Sequence, residues 1–159
     1  MRLSSIAFVG LLSRACEACV ACKVLPDLPE SISGSPEKLL AAQREATAIW
    51  AKAYAEKDLD TLVSYVVDPY IQHNPLAPSG KAIAEAGMRQ VFATPGLIYN
   101  VTRVISDLNY VALHVHRIQP GTLDKAIVDI FGLNGTCITE HWDVQQTMLP
   151  NATNPLAYF

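Results

Sequence analysis

The chain changes character at Leu97. Ahead of it, apolar residues recur at three- and four-residue intervals; beyond it, β-branched and aromatic residues dominate, broken by tight turns. A helical period cannot serve as a strand, so this switch divides the chain into helices followed by sheet. Ser35 and Pro36 read as the N-cap and first position of a helix whose stripe is Leu39, Ala42, Ala46, Ile49, Trp50 and Ala53, running to Glu56. Asp58 reads as the cap of a shorter helix burying Leu59, Leu62, Val63 and Val66 and stopping before Pro69. A third helix is predicted after Ser79-Gly80, with Ile83, Met88, Val91 and Phe92 as contacts, ending before Pro95. Strands are predicted over Ile98–Ile105, Val111–Ile118, Lys125–Phe131 and Thr136–Gln145. Asn134-Gly135 between the last two is a strong hairpin signal, and Pro120-Gly121 and Ser106-Asp107 with Asn109 mark the other turns. Helices followed by a meander of strands predict an α+β domain with helices packed on one face of a bent antiparallel sheet.

The 159 residues suffice for one core, and a composition half apolar and 17% charged is globular. A net charge of −3 without a Lys/Arg cluster argues against nucleic acid and membrane surfaces as partners. The domain is expected over 36–159, after a Pro/Ser/Gly-rich linker over 23–35. Residues 1–22 read as a signal peptide or as an N-terminal extension: Arg2 precedes the apolar run Ile6–Leu12, but Arg14 and Glu17 stand in the cleavage region. The sequons at Asn100, Asn134 and Asn151 tip the reading toward a secreted glycoprotein, with a cytoplasmic protein as the alternative. Glycans are expected at Asn100 or Asn151, since the turn at Asn134 restricts access. Cys16, Cys19 and Cys22 lack a matching ligand set and Cys137 stands alone, so the three read as small residues of a dispensable segment.

The chemistry-bearing residues fall in or beside the strands. His73 lies in Tyr70-Ile71-Gln72-His73-Asn74-Pro75. His114 and His116 share one strand face, while Val111, Leu113 and Val115 share the other. Asp129 sits inside the apolar run Ala126–Phe131, where an unpartnered carboxylate is costly. In Glu140-His141-Trp142-Asp143, His141 and Asp143 share a face opposite Glu140 and Trp142. Each also has a structural reading: a sheet His as a hydrogen-bonding residue, Tyr70 and Trp142 as core or rim aromatics, Asp129 as an acceptor for backbone amides. Convergence of several titratable groups on neighbouring strands favours a site. No carboxylate-rich or His-x-x-x-His pattern points to a metal.

These segments, Tyr70–Pro75, Val111–His116, Val128–Phe131 and Glu140–Gln145, with the tail Asn154–Phe159, resemble the SnoaL-like polyketide cyclase group. They are most similar to its branch of SnoaL-like aldol-condensation enzymes, over about residue 38 to the C-terminus. The resemblance implies a cone-shaped, nuclear-transport-factor-2-like α+β fold, in which a curved sheet wraps a long helix and encloses an apolar pocket. It implies a cofactor-independent cyclase, isomerase or dehydratase, or a small-molecule binder, commonly a homodimer through the outer sheet face. In the cyclases a pocket carboxylate acts as acid and base during aldol closure; Asp129 and Asp143 both match carboxylates of this branch. Gly132 departs from the branch, which usually has a basic residue there, so an ion pair or anion contact is absent. The expected assignment is Asp129 or Asp143 as base and His73 and His116 as proton donors or orienting groups. Tyr70, Asn74, His114 and Trp142 would shape the pocket and hold substrate oxygens, without a cofactor or metal. The rival readings are a non-catalytic binding protein of this fold and a dimerising module with a filled core.

Overall fold

The computed structural model describes Cys22, residues 34–154 and residues 156–159. The expected signal peptide or extension, apart from Cys22, and residues 23–33 of the linker expected over 23–35 lie outside the described residues. Helix α1 spans Pro36–Glu56; Ser35 Oγ accepts from the Lys38 amide, and Lys57, left-handed at φ 61°, closes its C-terminus. Helix α2 spans Leu59–Ser64 and is capped by Asp58, whose carboxylate accepts from the Thr61 amide at 3.2 Å. Strand β1 (Val66–Gln72) and helix α3 (Lys81–Phe92) follow. The second half is β2 (Ile98–Asp107), β3 (Tyr110–Ile118), β4 (Lys125–Asn134) and β5 (Cys137–Thr147).

The sheet order is β1-β5-β4-β3-β2, and β2 to β5 form the expected antiparallel meander. The α+β cone is therefore present, with one difference. The stretch around Tyr70, read only as an extended link between helices, joins the edge of the sheet as β1 and runs parallel to β5. The sheet is mixed because α3 lies between β1 and β2 and carries the chain from one edge strand to the other. Register shifts in the β1–β5, β2–β3 and β4–β5 pairings mark bulges, which bend strands. Trp50 and Tyr54 of α1 enter one core with Leu113, Val115, Ile127 and Phe131, and Trp50 meets Phe131 edge-on at 4.8 Å.

The buried side of α1 is rotated from the expected stripe. Ile49 is 40% exposed, while Gln43 and Thr47 are buried beside Ala46 and Trp50. Gln43 is satisfied in full: its amide donates to Asn109 Oδ1 at 3.1 Å and to the Gly135 carbonyl at 2.8 Å, and Oε1 accepts from the Asn109 amide. One helical side chain thus ties down both the β2–β3 and the β4–β5 turns. Gln43→Leu keeps the bulk but strands the buried Gly135 carbonyl, and is expected to lower stability by about 2 kcal/mol. Urea unfolding checks this; an unchanged midpoint would mean the turns hold themselves.

The cysteine reading is corrected. Cys22 forms a disulfide with Cys137, with Cα atoms 5.7 Å apart, and its amide donates to the Ser64 carbonyl at 2.8 Å. Cys22 is therefore fastened to the domain and Cys137 does not stand alone. The pairing depends on β5 lying beside β1, where Val67 packs with both cysteines.

Candidate active site

Between α1, α3 and the inner face of the sheet lies a cavity of about 400 Å³ with a largely apolar wall. Asp129, 4% exposed, projects into it from β4. Its Oδ2 accepts from the Tyr54 hydroxyl at 3.0 Å, and Oδ1 lies 3.2 Å from His141 Nε2. The far nitrogen, His141 Nδ1, lies 3.1 Å from Gln72 Oε1, which also accepts from the Asn74 amide. Because that oxygen can only accept, Nδ1 is the donor of this contact, and Nε2 is left facing the Asp129 carboxylate. The pair is an acid–base unit with its tautomer set by Gln72. The same Gln72 donates through Nε2 to the Tyr70 hydroxyl at 3.2 Å, which leaves the Tyr70 proton free to point at a ligand oxygen.

Asp143 stands opposite Asp129 in the β4–β5 register and so shares its face. It accepts from Asn74 Nδ2 and Gln145 Nε2, both at 2.6 Å. Burial, followed by the charge of Asp129, holds the Tyr54 hydroxyl well above the usual phenol range. Burial, then Asp129 and Asp143, raises Tyr70. Burial raises Tyr99 as well, against the neighbouring Arg117 charge. All three phenols are thereby kept as neutral donors.

Of the expected site residues, the fold brings Asp129, Asp143, Tyr70 and Asn74 to this cavity. The common site expected for His73, Asp129 and His114 or His116 does not form. His114 and His116 alternate with Val111, Leu113 and Val115, and those three occupy the core, so both histidines face out. There His114 meets Arg103 at 2.9 Å, His116 meets Asp124 at 2.8 Å, and the Phe159 ring lies against both. His73 is likewise on the outer side, stacked on Trp142 with centroids 4.3 Å apart and bonded to Glu140 at 3.0 Å. Gly132 lies opposite Glu140 on that same face.

No family model matches the chain, and no curated protein is significantly similar to it. Solved structures are. A SnoaL-like protein from Burkholderia thailandensis superposes with a TM-score of 0.55 and 16% identity over 65% of this chain and 94% of the other. A candidate ketosteroid isomerase from Kribbella flavida reaches 0.58 with 12% identity over 70% and 83%. IdmH, a candidate polyketide cyclase from Streptomyces antibioticus, reaches 0.52 with 16% identity over 65% and 91%. The fold is SnoaL-like, of the nuclear-transport-factor-2-like kind.

Within this SnoaL-like fold, sequence reasoning missed Tyr54, Gln72, Tyr99, Arg117 and His141 as cavity residues. Parity carried the signal for three of them. Tyr70, Gln72 and Asn74 share a strand face, as do His141 and Asp143 and as do Leu113, Val115 and Arg117. Tyr54 follows Trp50 by one turn on the buried side of α1, and only the helix–sheet packing brings it to Asp129.

Proposed function

We infer that the protein is a cofactor-independent acid–base enzyme acting on a small carbonyl compound, by enolisation followed by aldol closure, isomerisation or dehydration. The observation that carries this reading is the contact of the buried Asp129 carboxylate with His141 Nε2, at 3.2 Å, at the wall of an apolar cavity. The Asp129 carboxylate is the base that removes a proton next to the carbonyl, and His141 Nε2, facing that carboxylate, is placed to relay the proton. Tyr70, its oxygen already accepting from Gln72, donates to the developing enolate oxygen. Tyr54 keeps Oδ2 of Asp129 oriented. Asp143, tied to Asn74 and Gln145, holds the part of the same wall next to Asp129. The folds of a candidate polyketide cyclase and a candidate ketosteroid isomerase support enolisation chemistry by analogy.

The test is hydrogen exchange in D2O with a panel of 1,3-diketones and β-hydroxyketones, followed by proton NMR. Faster loss of the α-proton signal with the folded protein than with the same protein denatured is the expected result. A panel that exchanges at the buffer rate throughout would leave the cavity as a binding site. The disulfide supports placing the protein in an oxidising compartment, as a secreted chain trimmed ahead of Cys22. The outer sheet face, where Tyr110 and Val144 are exposed, is the surface through which it would pair as a homodimer.

A further inference from the structure

We propose that the ligand of this cavity is an organic monoanion, an apolar skeleton bearing a carboxylate that Arg117 holds. The inference rests on reading the cavity as a substrate site and adds the chemical class of what enters it. Five charged groups other than His141 line the wall: Asp129, Asp143, Glu85, Lys81 and Arg117. Glu85 is spent on Arg89, at 2.8 Å. Asp129 is engaged by His141 and Tyr54. Asp143 takes its hydrogen bonds from two neutral amides, and Lys81 donates to the Val66 carbonyl at 2.6 Å.

Arg117 is a cavity cation that the described residues leave without an anion. Among the described residues no carboxylate lies within ion-pair distance of it. Its described partners are neutral oxygens: Nη2 donates to Gln119 Oε1, and the guanidinium lies beside the Tyr99 hydroxyl. Its Nε is buried without an acceptor among the described residues. A half-buried guanidinium with an idle buried donor is an under-satisfied cation, which a ligand carboxylate would complete. Lys125, opposite Arg117 in the β3–β4 register, donates to Gln145 Oε1, and Lys81 to the Val66 carbonyl, so Arg117 is the cation left to hold a singly charged carboxylate. The spacing also fits. Arg117 lies four residues along β3 from Leu113, the cross-strand neighbour of Asp129, or roughly 13 Å between Cα atoms. The long Arg side chain shortens that span, so a skeleton of two fused rings reaches from guanidinium to the acid–base pair in a cavity of about 400 Å³.

Fluorescence titration with 2-naphthoate, and with 2-naphthamide as its neutral match, tests the proposal on the full chain. The folded wild type is expected to bind the acid about tenfold or more tightly than the amide, the scale of one charge-assisted pair. Arg117→Gln should remove that preference, Arg117→Lys should keep part of it, and Lys81→Met should keep it. Equal affinities in the wild type, binding of neither probe, or a preference that survives in folded Arg117→Gln would overturn the proposal. Asp129→Asn separates this idea from the acid–base reading, because it should abolish α-proton exchange yet retain the preference for the acid. Exchange that persists in Asp129→Asn sinks the acid–base reading alone, whereas loss of preference in the wild type sinks the carboxylate assignment alone.

Discussion

Asp129→Asn is expected to lower turnover of an enolisable ketone by about a hundredfold or more, which is about 2.7 kcal/mol of transition-state stabilisation. The size follows from what the change leaves in place. The carbonyl oxygen of the new side chain can still accept from Tyr54, and its amide nitrogen can donate to Nε2 of a His141 that keeps its Nδ1 proton on Gln72. Shape and packing survive; the proton acceptor does not. Binding of a neutral ligand and the unfolding midpoint should therefore stay near wild type while turnover collapses. His116→Gln and His73→Gln serve as controls, because both histidines lie on the outer face and have no route to the cavity. Steady-state kinetics on whichever panel member exchanges fastest decides the matter. Wild-type turnover by Asp129→Asn, with Asp143→Asn impaired instead, would move the base to the neighbouring strand.

The second large effect concerns Cys22–Cys137. The bond spans 115 residues of sequence. Opening a loop of that order restores unfolded-chain entropy worth about 4.7 kcal/mol in the loop-closure picture, within a usual range of about 2–5 kcal/mol for loss of a native disulfide. Cys137→Ser is thus expected to lower the melting temperature by roughly 10 °C or more for a domain of this size. Reductant should bring the wild type down to the same temperature and leave the variant where it is. The double variant Cys22→Ser, Cys137→Ser should melt with the single one, since the two thiols act as one bond. A midpoint within a degree or two of wild type in calorimetry would show that the segment around Cys22 adds nothing to the domain's stability.

Local chemistry made most of the fold legible in advance. The caps at Ser35 and Asp58, the turn at Asn134-Gly135 and the switch of period at Leu97 act within a few residues. They need no tertiary context to be read. Strand alternation was equally legible: it set His114 and His116 on one side of β3 and Val111, Leu113 and Val115 on the other. Alternation alone does not say which side is inside. The apolar side took the core because burying three aliphatic residues outweighs burying two imidazoles, and the expected site built on those histidines was left facing out. Only tertiary structure could settle three further points. Tyr54 reaches Asp129 across 75 positions, Gln72 reaches His141 across 69, and Cys22 reaches Cys137 across 115. Each contact depends on β1 docking in parallel beside β5, or on α1 crossing the sheet. Both are free-energy balances over the whole core, and no window of sequence contains them.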